Sequence, residues 1–224
     1  MFTLALVLVI DQASKFWVKT NMYLDQSYTV FGDWFFIHFI ENPGMAFGLE
    51  LGGQFGKLLL SLFRIVAVIF IALYLRTLTR HNAHPGFVVA VSLVLAGALG
   101  NVIDSMFYGL IFSASPPFST ETAVLFPEGG GYAGFLQGHV VDMFYFPIID
   151  THWPDWVPVI GGDRFRFFRP IFNVADSSIT IGMAMILLNQ RKYFGSVEKG
   201  KEPEGAKEEE AIRAESVSTN ADNA

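Results

Sequence analysis

Asp142 lies in the apolar stretch His139-Val140-Val141-Asp142-Met143-Phe144, and Asp176 stands at the start of an apolar run that continues to Asn189. An isolated acid in such surroundings is either paired or functional. Asp176 has a second reading, as a first-turn acid favoured by the positive end of a helix dipole. If the fold brings the two carboxyl groups together in a partly dry site, both cannot ionise cheaply. One then holds a proton near neutral pH while the other stays charged. The charged member can take a proton from water while the neutral one polarises a carbonyl, which is the arrangement an aspartic protease needs.

Other polar residues sit where a membrane would be, and each needs an explanation there. Asn173 and Asp176 are spaced i, i+3, and Asn101 and Asp104 repeat that spacing. The latter pair follows Ala96-Gly97-Ala98-Leu99-Gly100, small residues that let another helix come close. Asp11 and Lys15 are spaced i, i+4 and can neutralise one another inside the protein, as a structural ion pair. Arg64 interrupts an apolar run and is expected to meet an acid or a carbonyl from another helix, or to snorkel. Other chemistries fare worse. The chain has no cysteine, no H-E-x-x-H, no G-x-S-x-G and no phosphate-binding loop, so no metal site is expected.

The elements that must carry these residues are apolar. Of 224 residues 52% are hydrophobic and only 16% charged, against roughly 25% in a soluble domain, and mean hydropathy is +0.40. A net charge of −6 argues against nucleic acid as a partner. Four spans are expected, over about 2–20, 58–76, 86–112 and 171–190, joined by outer loops 21–57 and 113–170. Arg76 and Arg80 lie between spans two and three, and Arg191 and Lys192 follow span four, so both termini are expected in the cytoplasm. Trp34-Phe35-Phe36-Ile37-His38-Phe39-Ile40 reads as β-structure on the membrane surface. The 113–139 segment reads as irregular, and the Glu-, Lys- and Ser-rich stretch 195–224 as a disordered cytoplasmic tail after a membrane domain of residues 1–194.

Taken together, five segments resemble the lipoprotein signal peptidases (signal peptidase II), polytopic aspartic proteases of bacterial inner membranes. They are Asp11-Gln12-Ala13-Ser14-Lys15, Glu41-Asn42-Pro43-Gly44-Met45-Ala46-Phe47, Gly97-Ala98-Leu99-Gly100-Asn101-Val102-Ile103-Asp104, Val140-Val141-Asp142-Met143-Phe144 and Phe172-Asn173-Val174-Ala175-Asp176-Ser177. They occur in the family's order. The resemblance implies an all-α polytopic membrane protein. Its four transmembrane helices would carry a small extracytoplasmic β-sheet as cradle and an extracytoplasmic loop or helix as lid.

It further implies that Asp142 and Asp176 are catalytic, that Asn42, Asn101 and Asn173 bind substrate or orient the dyad, and that Asp11, Lys15 and Asp104 are structural. The implied substrate is a prolipoprotein carrying a diacylglyceryl-modified cysteine, cut just before that cysteine on the periplasmic side. Membrane lipids are expected partners, no cofactor or metal is expected, and the chain is expected to be a monomer. Ser105 departs from the pattern, because an arginine usually follows this aspartate in the family; Arg64, Arg166 and Arg169 are candidates to supply the missing guanidinium. A small ion- or proton-coupled transporter using Asp104, Asp142 and Asp176 is the alternative reading.

Overall fold

The computed structural model describes residues 2–43, 53–147, 149–167 and 170–193. The first helix, α1 (Phe2–Asn21), turns one face inward, where Asp11, Lys15, Val18 and Lys19 are buried. These positions recur at helical spacing, so a single stripe of α1 meets the interior. Helix α2 (Gly53–Arg80) is the longest. Its outward face is a column of exposed large apolar side chains, among them Leu59, Phe63, Val66, Phe70 and Leu73.

Helix α3 (Pro85–Ile103) begins with Pro85 in its first turn, where a missing amide hydrogen costs nothing, and the His84 ring accepts from the Gly86 amide. It passes into a π-helical turn (Asp104–Tyr108) and a last short turn, α4 (Gly109–Ile111). A π turn leaves backbone carbonyls off the ordinary ladder. Here the Ser105 carbonyl accepts from Gly138 N at 2.9 Å, which ties the approach to the sheet to the end of α3. The final long helix is α5 (Val174–Leu188).

Between helices the chain forms β1 (Ser27–Phe31), β2 (Phe35–Asn42), β3 (Val140–Tyr145) and β6 (Ile171–Phe172), an antiparallel sheet in the order β1-β2-β3-β6. In the middle pair Ile40 faces Asp142, Glu41 faces Val141 and Asn42 faces Val140. A bulge between Ile37 and Ile40 puts Phe39 with Glu41 on one face, while Ile40, Asn42 and Asp142 share the other. The first face covers a core of Val18, Met22, Phe39, Tyr108, Phe112, Val141 and Met143.

The chain is therefore not all-α. The described residues form six strands in two sheets, the second a hairpin of β4 (Ile149–His152) and β5 (Arg164–Phe167) that sequence patterning did not reveal. Residues 171 and 172, placed at the start of the fourth span, pair with β3 instead, and the helix begins after them. Among the described residues, two helical stretches are long and apolar enough to cross a membrane, Phe55–Arg80 (26 residues) and Pro85–Ile111 (27 residues). Helix α5 is apolar but shorter, at 15 residues. The stretch 195–224 and the segment Gly44–Phe47 lie outside the described residues, as does Arg169.

Helices α3 and α5 approach through Gly97. A Cβ there would meet the Ala175 carbonyl oxygen, with Ser178 Oγ at 2.6 Å and Ile179 Cγ1 at 2.7 Å. Backbone cannot move aside as a side-chain tip can, so Gly97→Ala must push the two helices apart. Overpacking of this kind costs about 1–3 kcal/mol. Thermal unfolding in detergent is expected to show a clearly lowered midpoint for Gly97→Ala; an unchanged midpoint would mean that the helix pair is not closely held.

Candidate active site

The network at the top of α1, α3 and α5 is built around one ammonium group. Lys15 Nζ lies 2.9 Å from Asp11 Oδ2, 2.7 Å from Asp104 Oδ2 and 2.9 Å from Asn101 Oδ1. An ammonium has three hydrogens to give, and three acceptors surround it. All of Lys15, Asp11 and Asp104 are fully buried. The ion pair expected between Asp11 and Lys15 is thus shared with Asp104 on a second helix. Gln12 Nε2 adds hydrogen bonds to Asp104 Oδ1 (2.9 Å) and Asp11 Oδ2 (3.1 Å), and Tyr108 donates to Gln12 Oε1 (3.2 Å). The second oxygen of Asp11 accepts from Ala175 N at 2.8 Å, so the same cluster reaches the first turn of α5.

From Asn101 the network passes to the two carboxylates. Asn101 Nδ2 donates to Asp176 Oδ1 at 2.8 Å. Asn173 Nδ2 donates to Asp142 Oδ1 at 2.7 Å and lies 3.2 Å from both Asn101 Oδ1 and the Val141 carbonyl. The Asn173 side-chain oxygen accepts from Asp176 N at 2.9 Å and so caps α5. Asn42 also hydrogen-bonds Asp142. Asp142 and Asp176 are therefore brought to one place, with Asn42, Asn101 and Asn173 around them, while Asp11, Lys15 and Asp104 lie behind.

Asp142 is 3% exposed, whereas Asp176 is half-buried at the edge of the site. Burial and the neighbouring charge of Asp176 push the Asp142 carboxyl up to about 7, against the opposing effects of Lys15, Asn42 and Asn173. A carboxyl of that kind holds its proton close to neutrality. Ser105, the residue expected to depart from the family pattern, donates to the Asn101 carbonyl at 3.0 Å.

On the opposite face of the sheet is a second buried cluster that sequence reasoning missed. Lys19 pairs with Glu41 and donates to Ser115 Oγ at 3.1 Å, Ser115 Oγ lies 3.0 Å from Glu41 Oε1, and His139 Nδ1 is 3.1 Å from Glu41 Oε2. The Lys19 ammonium also sits 5.0 Å from the centre of the Tyr132 ring and 5.4 Å from that of Phe112. Burial acts to raise the Glu41 carboxyl, but the His139 hydrogen bond and the Lys19 charge outweigh it and hold it below the ordinary range. Glu41 stands next to Asn42 and across from Val141, so the cluster fixes both strands that carry site residues. The one sequence clue was Lys19 itself, four residues beyond Lys15 and on the same helix face.

Membrane-length helices, a sheet packed against them and two carboxyl groups between the two are features that a membrane enzyme would have. Within that class the chain belongs to the signal peptidase II family, whose profile, "Signal peptidase (SPase) II", matches residues 3–191. A lipoprotein signal peptidase of Porphyromonas gingivalis is 50% identical over 209 residues, which is 92% of this chain and 89% of the relative. One from Amoebophilus asiaticus is 36% identical over 189 residues, 83% of this chain and 75% of the relative. Among solved structures, a bacterial membrane enzyme determined by the in meso method at 2.3 Å aligns with a TM-score of 0.55 and 26% identity, covering 91% of this chain and 92% of that one. A second, at 1.9 Å, aligns at 0.53 with 28% identity, covering 84% of this chain and 90% of the other. Membership of a peptidase family displaces the transporter alternative.

The charge cluster generates an ordered pair of outcomes. Asp104→Asn leaves the Asp11–Lys15 pair neutral, whereas Lys15→Met leaves two buried carboxylates facing one another with no cation. Removing one partner from a buried pair costs about 3–5 kcal/mol. Lys15→Met is therefore expected to lower the thermal midpoint in detergent further than Asp104→Asn, and the reverse order would contradict the shared-ammonium arrangement.

Proposed function

We propose that this chain is an aspartic endopeptidase of the bacterial inner membrane that removes the signal peptide from diacylglyceryl-modified prolipoproteins, cutting just before the lipidated cysteine. The observation that carries the reading is the continuous chain of hydrogen bonds Asp142–Asn173–Asn101–Asp176, which holds two carboxylates in one site. In this reading α1 and α5 also cross the membrane, making four spans with both termini cytoplasmic. Residues 1–194 form the membrane domain, 195–224 a cytoplasmic tail, and the sheet lies on the periplasmic side. The enzyme acts as a monomer, with Asp11, Lys15 and Asp104 in a structural role.

The proton shared by the pair resides on Asp142, whose elevated affinity suits a donor. Asp176 takes a proton from the attacking water as its oxygen bonds to the scissile carbonyl carbon. Asp142 donates a hydrogen bond to the developing oxyanion, and the proton gained by Asp176 then passes to the leaving amine. Asn42, Asn101 and Asn173 are suited to an extended peptide, since an amide side chain both donates to a carbonyl and accepts from an N–H. In this reading the β1–β2 hairpin cradles an extended substrate, with Asn42 at the end of β2 on the same sheet face as Asp142. The lipid tails of the substrate stay between helices, so the peptide need only enter at the membrane surface.

Cleavage of a diacylglyceryl-modified prolipoprotein, followed by gel shift in detergent, tests this. Wild type is expected to cut before the cysteine, while Asp142→Asn and Asp176→Asn cut nothing and keep thermal midpoints near wild type. Retained turnover in either variant would remove that aspartate from the mechanism. A pH series adds a further check with a definite sign. The Asp142 carboxyl is protonated below about 7, so kcat is expected to fall as pH rises through about 7 and the donor proton is lost. A rate that keeps climbing across that range would contradict the assignment of Asp142 as donor.

A further inference from the structure

Most of α2 meets lipid, but one side carries three polar residues, Lys57, Ser61 and Arg64, spaced i, i+4 and i+7. Residues so spaced share a helix face, here over about 10 Å. The first two show what that face meets. Lys57 Nζ donates to the Gln137 carbonyl at 2.5 Å, and Ser61 Oγ donates to the Leu136 carbonyl at 3.0 Å. Those carbonyls belong to the segment that enters β3, and the next residue, Gly138, is tied to Ser105 beside Asp104. Arg64 lies one turn further along the same face, with its Nη1 atom buried. Its guanidinium is within Coulombic reach of Asp176, Asp142 and Asp104, the effect of Asp176 being the largest.

The charge inventory gives this placement a purpose. Four carboxyl groups, Asp11, Asp104, Asp142 and Asp176, converge on the site, and Lys15 spends its three hydrogens on Asp11, Asp104 and Asn101. Helix α3 has no Lys or Arg from Pro85 to its end, and Ser105 is engaged with the Asn101 carbonyl. Among the described residues, α2 brings a further cation, Arg64, within electrostatic reach of the pair. A snorkelling arginine would carry its head group out to water, whereas this one is held inward.

We propose that Arg64 is a positioning residue for the aspartate pair: delivered by α2, its guanidinium keeps the negative charge on Asp176 and so leaves the shared proton on Asp142. This rests on the protease reading above. The groups that bear on it are Asp176 of α5, Asp142 of β3, Asp104 of the π turn after α3, and Lys15 and Asp11 of α1. Arg64 touches no reacting atom in this scheme and acts through the two carboxylates.

The test is the pH profile of prolipoprotein cleavage for wild type, Arg64→Gln, Arg64→Met and Arg64→Lys, with Asp142→Asn alongside. Removing a nearby cation weakens the ionised form of a carboxylate, so the neutral variants are expected to shift the whole kcat profile upward by about one pH unit. With the falling limb moved from about 7 to about 8, their kcat at pH 8 is expected to exceed the wild-type value about fivefold while KM changes less than about twofold, because the lost interaction acts on the protonation of the pair and not on substrate binding. Arg64→Lys, which keeps the charge, returns the profile to the wild-type position. A neutral variant whose profile stays at the wild-type pH overturns the proposal, whatever its rate. If neither neutral variant folds, Arg64→Lys decides: a folded enzyme with the wild-type profile supports the role, and a shifted profile or failure to fold overturns it. Inactive wild type, or active Asp142→Asn, would instead overturn the protease reading itself, so the two failures are distinguishable.

Discussion

The buried ammonium of Lys15 is the interaction on which the rest of the site depends. Withdrawing an ion from water costs several kcal/mol, and that cost is offset only when every hydrogen finds an acceptor in good geometry. Here the acceptors come from α1 and α3, and one of them, Asp11, also holds the amide of Ala175 at the start of α5. Three helices are thus placed by one charge. Asn101, the third acceptor, is itself the donor to Asp176, so the structural cluster and the carboxylate pair share a residue. Close approach makes this possible: a Cβ at Gly100 would lie 2.6 Å from Asp11 Oδ2.

The sheet supplies the other half of the site, and it is held from behind. Alternation along β3 sends Asp142 to one face and Val141 and Met143 to the other. On that second face the Lys19–Glu41–His139 cluster and the aromatic rings around Lys19 fix β2 and the entry to β3 against α1. Asn42 and Asp142 then need little side-chain freedom of their own. The π turn after α3 completes the arrangement, because the carbonyl it releases is the one that catches Gly138 and aims the chain into β3.

Much of this was legible in the sequence, for identifiable reasons. Acids stranded in apolar runs stand out, as Asp142 and Asp176 do, and a spacing of i, i+3 groups Asn173 with Asp176 and Asn101 with Asp104. The alternating run ending at Ile40 read as a strand because half-buried strands have a period of two. What could not be read was tertiary. Nothing local says that Lys15 has a second carboxylate from a residue 89 positions away, or that Glu41 meets Lys19 and His139. The β4–β5 hairpin escaped notice because its strands are short and proline-flanked, and its connection is long. Ile171 and Phe172 were assigned to a helix on hydrophobicity alone, which cannot distinguish an edge strand from a helix start.

One side chain has a double engagement with a practical consequence. Asn173 uses its oxygen to cap α5 and its amide nitrogen to hold Asp142. A compound that competes for that nitrogen leaves the helix intact, whereas one that rotates the amide must also uncap α5, at a cost of about 1 kcal/mol. Inhibitor affinity here is therefore coupled to fraying of a helix end. Asn173 is fully buried and its two amide hydrogens already serve Asp142, Asn101 and Val141, so compounds that leave this amide in place avoid that loss.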